Sequence, residues 1–210
     1  MKRILCFGDS NTWGYVPLSP SERFPDEVRW TGVLQSALGA GYRVTEEGQN
    51  GRTTVFDDPY ETICKNGSKH LPVILESHKP LDLVIIMLGT NDLKTHLGQS
   101  ARTIAAGAGV LVDRVLASDS GPEQGIPKVL LISPAQVADA RCPFGRIFDG
   151  AAATSCGFAE AYREEAQLRG IPLLNAAEHV IVPKSDCIHF DAAGHAALGA
   201  AVAVKVQEIL

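Results

Sequence analysis

One stretch near the start of the chain decides the fold, and it reads Ile4-Leu5-Cys6-Phe7-Gly8-Asp9-Ser10. The apolar run from Ile4 to Phe7 predicts a short buried β-strand. The chain then turns sharply at Gly8-Asp9 and presents a serine just past the carboxyl end of that strand. Open parallel sheets place their binding and reactive groups at this edge. Ser10 is therefore a candidate nucleophile, and it needs a neighbouring base because a serine hydroxyl alone is a weak nucleophile.

The same turn also has a purely structural explanation. Asp and Ser side chains often bond nearby backbone amides in turns. The Gly-x-Ser-x-Gly pattern of ordinary α/β-hydrolases is absent around Ser10. The turn alone leaves both interpretations open, and the rest of the chain has to decide between them.

Composition bounds the class of protein. The chain has 210 residues, of which 45% are hydrophobic and 20% charged, and its formal net charge is −5. These values fit a globular α/β protein with a full core, so we predict a single domain over residues 1–210. Because no block of basic residues stands out, neither nucleic acid nor a membrane is an expected partner.

Two further features favour the cytoplasm. The N-terminal apolar run is too short for a signal-peptide core, and no apolar run reaches the length of a membrane span. The five cysteines are odd in number and include no Cys-x-x-Cys pair, which argues against a disulfide framework or a zinc site. We expect a cytoplasmic protein with no metal and no cofactor.

Strand-like and helix-like segments alternate along the chain. Strands are predicted at residues 4–7, 42–46, 83–88, 128–134 and 171–175. Helices are predicted at residues 29–38, 68–78, 100–117 and 153–168, and after Asp191. This alternation predicts an α/β protein in three αβα layers, with a five-stranded parallel sheet in the flavodoxin-like order 2-1-3-4-5.

Polar clusters follow the first three predicted strands, and another precedes the last helix. In a doubly wound sheet these loops gather at one edge, so Ser10, Gly51, Asn91, Asp186 and His189 can meet there. His189 is the natural general base, because the unperturbed pKa of histidine lies near neutrality, and Asp186 can fold back to fix its tautomer. The amides of Ser10 and Gly51 and the Asn91 side chain would supply three donors to an oxyanion. Taken singly, Gly51 is equally a plain turn residue and Asn91 a helix cap.

Four separated blocks of the sequence resemble the SGNH/GDSL hydrolase family. They are Phe7 to Ser10, Asn50 to Thr54, Gly89 to Asp92 and Asp186 to His189. One block would be weak support, whereas four in the right order span nearly the whole chain and are specific. The resemblance implies the flavodoxin-like SGNH hydrolase fold, a catalytic triad of Ser10, Asp186 and His189, and an oxyanion hole of Ser10, Gly51 and Asn91.

The sequence departs from the family pattern at one position. Asn11 stands where the family name expects Leu. Position 11 follows the nucleophile and need not perform chemistry, so the departure concerns the shape of the pocket. Gly48 is a second candidate for the glycine donor, although Gly51-Arg52-Thr53-Thr54 matches the family block better.

Longer stretches, including residues 4–14, 29–34 and 81–92, look like the bacterial arylesterase/acyltransferase branch of the family. This resemblance implies a serine esterase that hydrolyses short-chain, acetyl-type esters, aryl esters included, through an acyl-serine intermediate. It also implies a homo-oligomer. Acyl transfer to alcohols in competition with water is expected if the approach to the serine is apolar and narrow. Five apolar residues are expected to flank the serine, unless they are ordinary core: Trp13, Tyr15, Phe144, Phe148 and Ile188.

Three other interpretations use the same residues. A carbohydrate acetylesterase would carry the same triad. A flavodoxin-like module could bind phosphate or flavin through the turn at 10–14, but it leaves Asp186 and His189 without a role. Metal-dependent hydrolysis could use Asp186, His189 and His195, although no further ligand cluster is evident and His195 fits the terminal helix.

Overall fold

The computed structural model describes residues 1–139 and 143–210. Five strands form one sheet, namely β1 Lys2–Gly8, β2 Tyr42–Gly48, β3 Leu83–Met87, β4 Lys128–Ser133 and β5 Leu173–Asn175. Every neighbouring pair is parallel, and the order across the sheet is β2-β1-β3-β4-β5. The predicted five-stranded parallel sheet and its flavodoxin-like order are confirmed.

Helices connect the strands and are numbered in chain order. They are α1 Ser10–Trp13, α2 Trp30–Leu38, α3 Gly67–His78, α4 Ala101–Leu116, α5 Ala151–Ser155, α6 Phe158–Arg169 and α7 Ala192–Ile209. Short 3₁₀ turns lie in the loops, among them Asn91–Leu93 and Gly145–Phe148. Within the described part of the chain, no helix combines the length and the apolar character needed to cross a membrane.

Successive side chains of the central strands point to opposite faces of the sheet. Leu5 and Phe7 of β1 face a core shared with α3, α4 and α6. Ile4 and Cys6 face the opposite core, which is covered by α2 and α7. Since both faces are covered, β3 is buried at every position, which explains its unbroken apolar sequence. The predicted three-layer αβα arrangement is confirmed.

The segment predicted as one helix over residues 153–168 is two helices. α5 ends at Ser155 and α6 begins at Phe158. Gly157 lies at the break, where an added Cβ would stand 2.9 Å from the Cβ of Ala101 in α4. The prediction of a continuous helix was wrong because apolar spacing along one segment carries no information about this close approach of a second helix.

The loop between β5 and α7 returns to the carboxyl edge of the sheet. There β1 leads into α1, and β3 leads into the turn Asn91–Leu93. α7 begins after Asp191, whose Oδ1 accepts a hydrogen bond from the Gly194 amide at 2.8 Å. The predicted cap is confirmed, and it holds the loop that precedes the helix.

A buried histidine joins α2 to α7 behind this edge. The Trp30 amide at the start of α2 donates to Nδ1 of His195 in α7 over 3.2 Å. Because Nδ1 accepts, the ring proton is on Nε2 and the imidazole is neutral. Burial lowers the pKa of His195 to about 4, with Asp191 raising it and Arg29 lowering it further.

We predict that His195 makes the fold less stable in acid. An unfolded histidine takes a proton below its ordinary pKa of 6.5, whereas folded His195 stays neutral down to about 4. Because the unfolded state binds more protons between these values, the free energy of unfolding falls as the pH drops through this window. His195 alone is expected to lower the free energy of unfolding by up to about 3 kcal/mol across this window.

Denaturant unfolding of the wild type and of His195→Gln between these pH values measures the effect. The wild type should lose stability relative to the variant as the pH falls. Parallel curves for the two proteins would contradict the prediction.

Candidate active site

Ser10 is the first residue of α1 and follows β1 almost directly. Asp9 caps this short helix, because its Oδ1 accepts a hydrogen bond from the Asn11 amide at 2.9 Å. An added Cβ at Gly8 would lie 2.0 Å from Oγ1 of Thr12, so glycine is what lets the strand turn this tightly into the helix. Ser10 is thereby held at the sheet edge with 5% of its surface exposed.

His189 lies between Ser10 and Asp186. Its Nε2 is 3.0 Å from Oγ of Ser10, and its Nδ1 is 2.9 Å from Oδ1 of Asp186. With Nδ1–H donating to the carboxylate, Nε2 is the nitrogen that can accept a proton from the hydroxyl. The structure therefore brings together all three residues of the predicted triad.

Besides the His189 imidazole, three backbone amides donate hydrogen bonds to the Asp186 carboxylate. Its Oδ1 also accepts from the amides of Ile188 at 3.1 Å and His189 at 2.7 Å, and its Oδ2 accepts from the Leu18 amide at 3.2 Å. Cys187, inside this tight turn, has a left-handed φ of 73°. Burial acts to raise the pKa of Asp186, but the hydrogen bonds and the charge of His189 outweigh it and lower the pKa below its ordinary value. Asp186 is thus ionised at neutral pH.

The residues predicted to form an oxyanion hole lie in loops that contact each other. Nδ2 of Asn91 donates to the carbonyl of Arg52 over 3.1 Å. Gly51 directly precedes Arg52 and has a left-handed φ of 82°, which favours glycine. Asn91 therefore bridges two loops, which is not the role of a helix cap. An amide nitrogen carries two hydrogens, so one can serve this bridge and the other an oxyanion.

Arg52 supports the site in a way that the sequence did not reveal. Its guanidinium lies 4.2 Å from the centre of the Phe7 ring, and its Nη1 donates to the Gly8 carbonyl at 2.8 Å. Burial lowers the pKa of Arg52 to about 10, so it is charged at neutral pH. The loop that follows β2 is thereby tied to the end of β1. The only signal in the sequence was the position of Arg52 inside the glycine block.

Asp92 makes a second tie that was not predicted. It accepts from the Thr54 amide at 3.0 and 3.1 Å and from the Thr54 hydroxyl. Burial raises the pKa of Asp92 to about 7, although the hydrogen bonds from Thr54 oppose that shift. The turn after β3 is thus fastened to the same loop that Arg52 anchors.

Gly48 has a packing role. It ends β2 and lies opposite Gly8 in the register of the sheet. An added Cβ would stand 2.2 Å from the backbone nitrogen of Trp13 and 2.6 Å from its Cα. Glycine is needed here so that β2 can pass against α1, and this explains Gly48 without a donor role.

Two of the predicted pocket residues contact the imidazole. The Tyr15 ring stacks on His189 with ring centres 4.3 Å apart and an angle of 28°. Phe144 meets the imidazole at a steep angle, with centres 5.6 Å apart. The Tyr15 hydroxyl donates to the Ser19 carbonyl at 2.6 Å, which fixes the ring in place.

The other three predicted pocket residues make no ring contact with His189 among the described residues. Trp13 is 6.3 Å from the Tyr15 ring, and Ile188 is buried beside His189. Phe148 is 6.3 Å from Phe144 and lines a neighbouring groove, whose walls include neither Ser10 nor His189. The structure thus groups Tyr15 and Phe144 most closely with the site.

The three residues considered as metal ligands, Asp186, His189 and His195, bond other groups of the protein. Asp186 and His189 bond each other, and Nδ1 of His195 accepts from the Trp30 amide. Over residues 1–139 and 143–210, no three His, Cys, Asp or Glu side chains are grouped as a metal site would require.

A buried Ser–His–Asp arrangement at the carboxyl edge of a doubly wound sheet defines a serine hydrolase. The model of the GDSL-like lipase/acylhydrolase family matches residues 6–197. The chain therefore belongs to the GDSL-like lipase/acylhydrolase family, and it is a carboxylic ester hydrolase.

Solved structures of similar proteins agree with this assignment. The aryl esterase of M. smegmatis is 44% identical with a TM-score of 0.95, and the match covers 100% of both chains. Est24, a carbohydrate acetylesterase from Sinorhizobium meliloti, is 40% identical with a TM-score of 0.95 and the same coverage. A carbohydrate acetylesterase family member from that organism is 35% identical with a TM-score of 0.94, over 100% of this chain and 99% of that one. None of the curated proteins matches this chain significantly.

We predict that Gly48→Ala damages the site and that Gly41→Ala does not. A methyl group at position 48 must displace the Trp13 backbone, and Trp13 belongs to the helix that carries Ser10. Because a displacement of about 1 Å can cost about 10²-fold, we expect ester turnover to fall by more than about tenfold. Overpacking should also cost about 1–3 kcal/mol of stability.

Gly41 is the matched control, since an added Cβ there meets nothing within 4 Å. Turnover of an aryl acetate and thermal melting are measured for both variants. Equal behaviour of the two would show that Gly48 has no special packing role.

Proposed function

We propose that this chain hydrolyses short-chain acyl esters, aryl esters included, through an acyl–Ser10 intermediate. The observation that carries the proposal is the array in which His189 lies 3.0 Å from Ser10 Oγ and 2.9 Å from Asp186 Oδ1. A serine nucleophile needs an adjacent base that is itself oriented by a third group, and this array supplies both. The similarity to an aryl esterase at 44% identity supports an ester as the substrate.

Ser10 acts as the nucleophile in the first half-reaction. Its Oγ bonds to the ester carbonyl carbon, the carbonyl π electrons move to the carbonyl oxygen, and Nε2 of His189 takes the hydroxyl proton. Asp186 stabilises the imidazolium that forms. The imidazolium then gives its proton to the alcohol oxygen as the carbon–oxygen bond breaks, so the alcohol leaves and the acyl group remains on Ser10.

Three donors are assigned to the oxyanion that develops in this step. They are the amides of Ser10 and Gly51 and the Nδ2 group of Asn91. The 3.1 Å bond from Asn91 to the Arg52 carbonyl supports this assignment, because it keeps the glycine loop and the asparagine turn together. Donors fixed before the reaction starts need no reorganisation when the charge appears.

Water completes the cycle in the second half-reaction. His189 takes a proton from a water molecule as the water oxygen attacks the acyl carbon. The tetrahedral species then collapses, the bond to Ser10 Oγ breaks, and Oγ receives the proton back from the imidazolium. The carboxylic acid leaves, and the same base and donors have served both halves.

We propose that the substrate is bound by five side chains: Trp13, Tyr15, Phe144, Phe148 and Ile188. The contacts of Tyr15 and Phe144 with the His189 ring support this, since they put aromatic walls next to the reacting atoms. Walls so close to the base favour a small, acetyl-type acyl group.

We also propose that the acyl–Ser10 intermediate transfers its acyl group to alcohols in competition with water. The path by which an acceptor reaches the acyl group on Ser10 passes apolar side chains beside His189. Such a path disfavours water and admits a small alcohol. We further propose a homo-oligomer, in which neighbouring loops would narrow that path.

A sugar acetate is the second candidate substrate. The similarity to Est24, a carbohydrate acetylesterase at 40% identity, favours it. The acyl group and the triad would be unchanged, and only the leaving alcohol would differ.

The last part of the proposal concerns the number of domains in the chain and the compartment in which it works. We propose that residues 1–210 form a single domain, which the single five-stranded sheet supports. We also propose that it works in the cytoplasm without a nucleic-acid or membrane partner, in keeping with five cysteines that include no Cys-x-x-Cys pair and a net charge of −5.

We predict that Ser10→Ala loses most of its activity on aryl acetate, butyrate and octanoate esters and on acetylated sugars. The variant lacks the atom that bonds the acyl group, and it should melt near the wild-type temperature because a buried hydroxyl is replaced by hydrogen. The wild type should prefer the aryl acetate. A fully active Ser10→Ala variant would refute the proposal, and a preference for acetylated sugars would favour the second candidate.

We predict that Asn91→Ala lowers kcat by roughly 10²–10³, the usual effect of one lost oxyanion donor. A residue that only capped a turn would instead cost about 1 kcal/mol of stability. Asn175→Ala is the matched control, because Oδ1 of Asn175 caps a distant turn by accepting from the Ala177 amide at 3.2 Å. A similar small loss of melting temperature in both variants, with kcat unchanged, would leave Asn91 a structural residue and contradict the donor role.

We predict that an acetate ester incubated with benzyl alcohol in mostly aqueous buffer yields benzyl acetate as well as acetic acid. The product ratio at early times measures the partition of acyl–Ser10. Light scattering on the same sample gives the assembly size. Acetic acid as the only product would reject acyl transfer, and a monomer would reject the oligomer.

A further inference from the structure

Asn11 stands where the GDSL pattern has leucine, and it makes contacts that leucine cannot make. The residue follows Ser10 in α1 and is 3% exposed. Its Nδ2 donates to the Ile188 carbonyl at 3.2 Å, and its Oδ1 accepts from the Phe190 amide at 3.0 Å. Both partners belong to the loop that carries His189.

The two bonds enclose His189 from either side along the backbone. A carbonyl at one position and an amide two positions later are the groups that a neighbouring β-strand would bind together. A side-chain amide accepts only at its oxygen and donates only at its nitrogen, so only one orientation of the Asn11 amide satisfies both groups. The side chain therefore acts on the backbone of His189 as a paired strand would.

We infer that Asn11 is a positioning residue that sets the distance between Oγ of Ser10 and Nε2 of His189. Ser10 and Asn11 are consecutive in one helical turn, whose start is capped by Asp9 at 2.9 Å. A shift of the His189 backbone relative to Ser10 must break one of the Asn11 bonds. The inference rests on the proposed function, because it gives Asn11 a role only through His189 and Ser10.

The loop has other supports, but they hold it to other parts of the molecule. Asp186 binds amides within the loop and the Leu18 amide, and Asp191 caps α7. Loss of Asn11 should therefore leave the loop folded. What it removes are the two bonds from α1 to the backbone of the loop, while the bond between the His189 and Ser10 side chains is left.

The test compares Asn11→Ala and Asn11→Leu with the wild type on aryl acetate, butyrate and octanoate esters. Because small errors in the placement of a base are costly, kcat should fall about tenfold in both variants, by the same factor for all three esters. KM should stay within about twofold, since the Asn11 side chain is buried and both of its polar groups bond the loop backbone. Leucine restores the volume without the two bonds, so it should not rescue kcat.

Hydrogen exchange provides a readout at the contact itself. The Phe190 amide should exchange faster in both variants, because its acceptor is Oδ1 of Asn11. The amide of Gly194, bound to Asp191, serves as the internal control and should keep its protection. Unchanged exchange at Phe190 would overturn the inference.

Two kinetic outcomes would also overturn it. A change in the ratio of rates among the three esters would make Asn11 a wall of the acyl pocket, and a folded Asn11→Leu variant with wild-type kcat would make it dispensable. If Asn11→Ala does not fold, Asn11→Leu decides. Failure of the proposed function is recognised separately, because Ser10→Ala would then remain active.

Discussion

The hydrogen bond between Ser10 and His189 joins positions 179 residues apart in the sequence. It can form only because the rest of the fold brings these two positions together. One such bond contributes a net stability of about 1 kcal/mol. Ordering the backbone that carries each side chain costs about 1–2 kcal/mol per residue. The bond therefore cannot hold its own loops in place. Packing elsewhere has to fix both side chains before the reaction can use them.

That support comes from two levels of the fold. At the first level, parallel pairing of β1 with β2 and β3 and the packing of α7 on α2 set the ends of the chain side by side. At the second level, polar groups at the sheet edge tie the loops to one another, as Arg52 does with the Gly8 carbonyl and Asp92 with Thr54. These ties are buried, and a hydrogen bond from which water is excluded is stronger than one in solution. The loops at this edge are therefore held to one another by bonds that do not depend on a substrate.

The sheet order and the residues of the Ser10–His189–Asp186 arrangement could be predicted from the sequence because both leave local patterns in it. Apolar runs ending in Gly8-Asp9-Ser10 and Gly89-Thr90-Asn91 mark strand ends at one edge, and Asp186 lies close enough to His189 to reach it. The break of the predicted helix at Gly157 could not be predicted from apolar spacing, and the close approach of Ala101 in α4 to Gly157 is seen only in the structure. The partners of Asn11 lie 177 and 179 positions away, so no spacing in the sequence points to them. The same holds for the stacking of Tyr15 on His189.

The most direct test of the account asks whether Ser10 is nucleophilic because His189 lies beside it. The protein is incubated with a fluorophosphonate, digested, and mapped by mass spectrometry, and the rate of labelling is compared with that of His189→Ala. The account predicts one adduct, on Ser10, and a rate that collapses in the variant. An adduct on another residue, or labelling of Ser10 at the wild-type rate without His189, would contradict it.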